Sequence, residues 1–191
     1  DFDAASPTFS QNTADLGGSL SVEFLDEASG NNFSLVGPAS VSLSSAEVGG
    51  AIHLSVGVWL QRTKGGSNSF LLRDVAVVNN QASWGGGFTL FNLPTSDGSA
   101  IVSFQNCSWR LNSAKTGADA VGASQLSTTG ISGMIIAFSN CSFRENDLVQ
   151  SAGMNATTYQ NTQSFAHCSV STDGLALVFD TVTISDSSGP G

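Results

Sequence analysis

Two stretches of the chain, FQNCSWRLN at 104–112 and FSNCSFREN at 138–146, are versions of one motif. Both contain a leading Phe, the triplet Asn-Cys-Ser, an aromatic residue, an Arg and a closing Asn. LRDVAVVNN at 72–80 and FAHCSVSTD at 165–173 follow the pattern more loosely. A motif that recurs at a nearly fixed interval indicates a repeat architecture, because each repeat forms one unit that stacks on its neighbours.

The closing residue of the motif defines the period of the repeat. The closing residues are Asn12, Ser44, Asn80, Asn112, Asn146 and Asp173. They are separated by 32, 36, 32, 34 and 27 positions. The residues three positions earlier are Phe9, Val41, Val77, Trp109, Phe143 and Val170. The residues five positions earlier are Pro7, Ala39, Val75, Cys107, Cys141 and Cys168. Because residues two apart on a strand share a face, these positions predict a strand with an apolar core face.

A glycine-marked bend follows each closing residue and introduces a further strand. The residues five positions after the closing residue are Gly17, Gly49, Gly85, Gly117 and Ser151. The residues eight positions after it are Leu20, Ile52, Phe88, Ala120 and Met154. We therefore expect two or three short strands per repeat, stacked at about 4.8 Å. The sequence predicts an all-β fold, a right-handed parallel β-helix (solenoid) of about six coils.

Composition excludes several classes of partner. The chain of 191 residues has a net charge of -9 and only six Lys and Arg residues. Nucleic acids and anionic membrane surfaces are bound by basic patches, so neither is expected as a partner. The apolar stretches at 49–60 and 131–138 are shorter than the ~20 residues that cross a bilayer, so we expect no membrane insertion.

Short motifs of the types FxxN and GGA[ILV] link the repeat to a known family. FSQN at 9–12 and FREN at 143–146 match the first motif in full, and GGAI at 49–52 matches the second. The chain thereby resembles the repeats of chlamydial polymorphic outer-membrane proteins and, at the level of fold, the pectin-lyase-like superfamily. The repeats that close at Ser44 and Asp173 depart from FxxN. The resemblance implies a surface-exposed module associated with adhesion.

Four sequons of the type Asn-x-Ser/Thr indicate secretion. They are centred on Asn32, Asn106, Asn140 and Asn155, which are candidate N-glycosylation sites. We therefore expect an extracellular or cell-surface glycoprotein.

Three repeated positions look chemically interesting but are predicted to be structural. Cys107, Cys141 and Cys168 fall at one core-facing position, and we expect buried free thiols there because a disulfide between stacked residues would be strained. One ligand per repeat on a single line cannot surround a metal ion tetrahedrally, so we expect no metal or cofactor. The closing asparagines predict a ladder of stacked amides. The aromatic residues at the position of Trp109 predict core packing and no sugar-stacking platform.

A catalytic constellation is hard to find in the sequence. Enzymes of the pectin-lyase type gather carboxylates on one outer face. Arg110 and Arg144 share an outward position, but only Glu145 and Asp147 accompany them, at one repeat. His53 and His167 are placed at different phases of the repeat. We therefore predict no catalytic residues.

The ends of the chain complete the prediction. The last repeat is short, FDTVTISDS at 179–187 falls outside the repeat pattern, and neither end carries a capping helix. Residues 1–191 are therefore expected to form a single domain within a longer chain, with neighbouring chains or domains covering its ends. The predicted function is a noncatalytic extracellular structural or adhesion module, with glycans as further partners. The alternative is a polysaccharide-binding or polysaccharide-cleaving β-helix.

Overall fold

The protein is seen in a computed structural model that describes residues 6–24, 30–56, 68–92, 100–116, 121–125, 134–148, 166–169 and 175–185. These residues form three β-sheets in which every strand pairing is parallel. The same ranges contain no helix, and so none long and apolar enough to cross a membrane. The predicted all-β class is confirmed.

The strands, numbered in chain order, alternate among the three sheets. The first sheet has nine strands: β1 (Thr8–Ser10), β4 (Asn32–Ser42), β7 (Asn68–Val78), β10 (Ala100–Gln105), β11 (Ser108–Arg110), β14 (Met134–Ser139), β15 (Ser142–Arg144), β18 (Leu175–Asp180) and β19 (Thr183–Ser185). The second sheet has five: β2 (Thr13–Leu16), β5 (Ser45–Val48), β8 (Gln81–Trp84), β12 (Ser113–Thr116) and β16 (Asp147–Leu148). The third also has five: β3 (Leu20–Phe24), β6 (Ile52–Val56), β9 (Phe88–Asn92), β13 (Val121–Gln125) and β17 (Ala166–Ser169).

The first sheet bends along a line of residues with left-handed backbone. Asp74, Asn106, Asn140 and Thr181 occupy equivalent positions on this line, and their φ angles lie between 51° and 59°. β7 runs through the bend, whereas later repeats break there into two strands such as β10 and β11. We call the strand segments before the bend the first arm and those after it the second arm. A repeat therefore holds three strands where the first-sheet strand is continuous, within the predicted two or three, and four strands where that strand breaks.

The core lies between the inner faces of the first and third sheets. Side chains at equivalent positions stack on one another along the sheets, as Trp109 does on Phe143 with ring centroids 4.7 Å apart. Phe104 stacks on Phe138 at 4.9 Å, and Phe88 of the third sheet meets the Phe104 ring edge-on at 5.0 Å. Trp109 and Phe143 are fully buried. This confirms the predicted core position that is held by an aromatic residue in the two best-matching repeats.

The closing asparagines form the predicted ladder of amides inside the structure. Asn112 is fully buried, and its Oδ1 accepts hydrogen bonds from the backbone N and from Nδ2 of Asn80, at 3.1 and 2.9 Å. Its Nδ2 donates to the carbonyl oxygen of Val77 at 2.8 Å and to Oδ1 of Asn146 at 3.0 Å. Asn80 in turn accepts a hydrogen bond from the backbone N of Ser44. Asn12 differs: its side chain is exposed and donates to Ser19. The predicted sixth closing residue lies outside the described residues.

Gly49 and Gly50 follow β5 of the second sheet, and both the available space and the backbone conformation require glycine there. Gly49 has a φ of +68°, a region that favours glycine. A Cβ added to Gly50 would lie 2.2 Å from the carbonyl oxygen of Gly86 in the next repeat. The Gly-Gly part of GGAI therefore reflects the close approach of successive bends.

The predicted register of the last repeat is wrong. β19 pairs with β15 so that Ile184 lies beside Phe143, which makes the last step 184 − 143 = 41 residues instead of 27. Phe179 accordingly stacks on Phe138 at 5.3 Å, and the stretch at 179–187 continues the motif. The stretch at 165–173 instead contributes β17 to the third sheet. Its alternating apolar residues fit any core-facing strand. The sequence pattern alone therefore assigned this stretch to the wrong sheet.

Two further positions shift with the observed register. In the third sheet Phe88 pairs with Val121, so Ala120, predicted for this position, is one residue out of register. Cys168 pairs with Ala123, and Val182 takes the place beside Cys141 that the sequence assigned to Cys168. The structure thus divides the three cysteines between two sheets.

Candidate functional site

The outer face of the second arm presents hydroxyl groups on successive strands. Because β11 and β15 place Trp109 and Phe143 in the core, the residues on either side of them face outward. The equivalent outward positions, which we call the hydroxyl column, are Thr8, Ser40, Ala76, Ser108, Ser142 and Thr183. Five of these six residues carry a hydroxyl group, so the column forms a nearly uninterrupted polar line across the sheet.

An exposed line of amides runs beside the hydroxyl column at the bend of the first sheet. Asn140 donates a hydrogen bond from Nδ2 to Oδ1 of Asn106 at 2.9 Å, and Asn106 donates to the carboxylate of Asp74. Asparagine and aspartate tolerate the left-handed backbone of the bend better than other residues with side chains. This exposed line was not predicted, although the Asn-Cys triplet shared by the two best-matching repeats was its visible signal.

Three of the four predicted glycosylation asparagines are exposed. Asn106 and Asn140 belong to the exposed line, and Asn32 lies on β4, where its Oδ1 accepts a hydrogen bond from Ser69. Asn155 lies outside the described residues. The side chains of Asn32, Asn106 and Asn140 therefore lie on the surface of the described residues.

The charged groups beside the hydroxyl column pair with one another. Glu145 receives Arg110 on one carboxylate oxygen at 2.9 Å and Arg144 on the other at 3.3 Å. Both arginine side chains are more than half exposed, so water screens these pairs and they contribute little to stability. Asp147 follows on β16 in the next sheet. The result is a solvated surface cluster, as predicted.

An open groove of about 420 Å³ crosses the second sheet over β5, β8 and β12. It is lined by Ser45, Ala46, Gln81, Ala82, Ser83, Ser113, Ala114 and Lys115. These lining residues supply hydroxyl groups, one amide and one ammonium group, and none of them is acidic. This groove was not predicted from the sequence, because the small residues that form it carry no motif.

Cys107 and Cys141 are buried free thiols, as predicted. Each Sγ lies within hydrogen-bonding distance of two backbone carbonyl oxygens, at 3.2 and 3.4 Å for Cys107 and at 3.3 and 3.4 Å for Cys141. The neighbouring Cys141 thiol, together with burial, raises the pKa of Cys107 well above its ordinary value. Cys107 is therefore a protonated core residue without nucleophilic character at neutral pH.

The two histidines occupy equivalent positions in the third sheet, and the prediction of different phases is wrong. Pairing runs from His53 to Thr89, on to Gly122 and then to His167. His53 is 3% exposed, and its Nδ1 lies 2.9 Å from Oγ1 of Thr89. Burial lowers the pKa of His53, while the nearby Glu23 opposes that shift. His53 is therefore a neutral buried residue at neutral pH.

The described residues do not assemble a metal site. Among them no group of three His, Cys, Asp or Glu side chains could hold an ion. The described outer surface offers hydroxyl groups, amides and one cluster of paired charges.

Comparison with known proteins gives no match. No family model, no curated protein and no solved structure is significantly similar to this chain. The resemblance to the chlamydial repeats stays a prediction.

Proposed function

We propose that the chain is a noncatalytic extracellular structural or adhesion module built as a right-handed parallel β-helix of about six coils. In-register pairing between equivalent strands of successive repeats supports this architecture. In a β-helix the terminal strands need cover, so neighbouring chains or domains are the partners proposed for its ends.

The observation that carries the functional proposal is the hydroxyl column with the exposed amides beside it. Ser108, Ser142, Asn106 and Asn140 lie on neighbouring strands of one parallel sheet, whose spacing is about 4.8 Å. Such a regular array of donors and acceptors suits contact with an extended, hydroxyl-rich surface such as a cell-surface glycan layer. Exposed sequon asparagines are consistent with the same extracellular location.

The test immobilises the purified chain and measures retention of glycan-coated beads and of cells. We expect the double variant Ser108→Glu, Ser142→Glu to weaken retention about tenfold, because two carboxylates would be set among the hydroxyl groups. Thr13→Glu with Ser21→Glu, at exposed sites on other sheets, is the matched control and should retain binding. Equal loss in both variants, or turnover of any polysaccharide by the wild-type chain, would contradict the proposal.

The groove on the second sheet favours a second candidate function, the binding of a polysaccharide. Its open shape spans three strands, and Gln81 and Lys115 provide an amide and a cation for sugar hydroxyl or carboxylate groups. Titration calorimetry with neutral and acidic oligosaccharides tests this candidate, and Lys115→Gln should reduce affinity for the acidic ones alone. No heat with either class of oligosaccharide would remove the candidate.

A further inference from the structure

The outer face of the first arm carries a cluster of apolar residues, in contrast to the outer face of the second. The apolar residues at its outward positions are Leu71, Ile101, Ile135, Ala137 and Val178, which we call the apolar face; they lie on β7, β10, β14 and β18, with Ser69 and Ser103 at outward positions beside them. Ile101 is 42% exposed and Val178 is 47% exposed, while the other three are half-buried. Contiguous apolar residues on the outside of a sheet are unusual unless another surface covers them.

A polar line with opposite charges at its two ends borders the apolar face. The equivalent positions are Arg73 on β7, Gln105 on β10, Ser139 on β14 and Asp180 on β18. Nε of Arg73 donates to Oε1 of Gln105 at 2.9 Å, and Oγ of Ser139 donates to Oδ2 of Asp180 at 3.3 Å. The border is therefore positive at β7, neutral at its centre and negative at β18.

We propose that the apolar face is the contact surface of a symmetric dimer, whose partner is a second molecule of this chain. A two-fold axis parallel to the strands, passing between β10 and β14, sets β7 of one molecule against β18 of the other. Leu71 then faces the second molecule's Val178, and Ile101 faces its Ile135. Arg73 faces the second molecule's Asp180, and symmetry repeats each contact.

Charge complementarity selects this arrangement over the other ways to pair the two faces. A two-fold axis perpendicular to the strands would superpose β7 on β7. Crossing at the level of Arg73, it would set Arg73 against Arg73 and Asp180 against Asp180, which is repulsive. Crossing at the level of Leu71, it would place Arg73 over Ser69 and leave both charges without a partner. Sheets that pack face to face lie about 10 Å apart, a distance that an arginine and an aspartate together can bridge.

The first test measures the mass of the purified full chain by sedimentation equilibrium from about 1 to 100 µM. We expect a monomer–dimer equilibrium for the wild-type chain. Ile101→Lys should leave a monomer throughout this range, because Ile101 lies next to the axis and the change acts twice. Leu111→Lys is the matched control: Leu111 is 43% exposed but lies outside the apolar face, so this variant should dimerise normally. A monomeric wild-type chain, or association that persists in Ile101→Lys, overturns the proposal.

A charge exchange tests the orientation of the dimer. Arg73→Asp and Asp180→Arg should each weaken dimerisation about tenfold, because each variant sets like charges opposite one another at both ends. The double variant should return the dissociation constant to that of the wild-type chain. Failure of the double variant to recover, with circular dichroism spectra unchanged, would refute the proposed two-fold arrangement.

Discussion

Two lines of asparagine-containing residues run across this structure, one inside and one outside, and they differ chiefly in burial. The inner line consists of Asn80, Asn112 and Asn146, all fully buried. The outer line contains Asn106 and Asn140, both exposed, together with Asp74. Both lines hydrogen-bond from one repeat to the next at similar distances. Similar hydrogen bonds therefore occur in two very different environments.

Asparagine meets a different requirement in the inner line and in the outer line. An inner amide must satisfy buried backbone groups, such as the carbonyl oxygen of Val77, that water cannot reach. An outer amide exchanges hydrogen bonds with water at little cost. At the outer line the backbone conformation is the stronger requirement, since Asn106 and Asn140 have φ angles of 52° and 51°.

Removal of an inner amide should have the largest effect on stability. Asn112→Ala deletes four hydrogen bonds and leaves the buried backbone N of Asn80 without its acceptor. We expect the free energy of unfolding to fall by about 3 kcal/mol, since each buried unpaired group costs about 1–3 kcal/mol. Urea denaturation measures the change. A loss below 1 kcal/mol would mean that the inner line contributes no more than surface hydrogen bonds.

Substitution at the outer line should have a smaller effect, set by backbone conformation. Asn140→Ala should cost about 1 kcal/mol, because a Cβ in the left-handed region is strained. Asn140→Gly removes the same side-chain hydrogen bond but fits the conformation, so its unfolding free energy should stay within about 0.5 kcal/mol of the wild-type value. Equal destabilisation by Ala and Gly would show that the hydrogen bond to Asn106 matters more than the backbone.

The contrast between the lines also explains what the sequence could predict. Three features recur from repeat to repeat: the asparagines of the inner line, their apolar neighbours and the glycines at the bends. Each of these residue types suits one environment, so the all-β class and the amide ladder were predictable. Left-handed backbone was harder to predict. In the turn from the first sheet to the second, Leu43 and Leu111 have positive φ angles, and leucine is not a residue type that indicates this conformation. The last repeat was misplaced because an insertion lengthened it and another strand imitated the motif.

The candidate surface was less predictable than the core. Arg110, Arg144 and the exposed sequon asparagines could be placed outward by alternation alone. The groove over β5, β8 and β12, the apolar face and the alignment of His53 with His167 depend on which strands become neighbours. Pairing between residues more than thirty positions apart is set by register, and a one-residue error in register changes the outward set completely.

The buried histidine extends the comparison to a titratable group. Burial lowers the pKa of His53 below its ordinary value of 6.5, so the unfolded chain accepts a proton before the folded chain does as the pH falls. Stability should therefore be highest above pH 6.5 and decrease as the pH falls below it. Urea denaturation between about pH 7.5 and 5.5 measures this slope. His53→Gln should flatten this slope, because the other titratable groups are the same in both proteins. An unchanged slope would mean that those other groups, and not His53, cause the pH dependence.

The smallest expected effect concerns a buried polar group that, unlike the asparagines of the inner line, has no hydrogen-bond partner. Among the described residues, the indole Nε1 of Trp109 is the one buried side-chain nitrogen or oxygen without a hydrogen-bond partner. Trp109→Phe removes this unpaired donor while an aromatic ring still stacks on Phe143. The loss of packing volume and the relief of an unpaired group are each about 1 kcal/mol and oppose one another, so stability should change by less than about 1 kcal/mol. A large loss in Trp109→Phe would mean that the shape of the indole, stacked between its neighbours, outweighs the unpaired nitrogen.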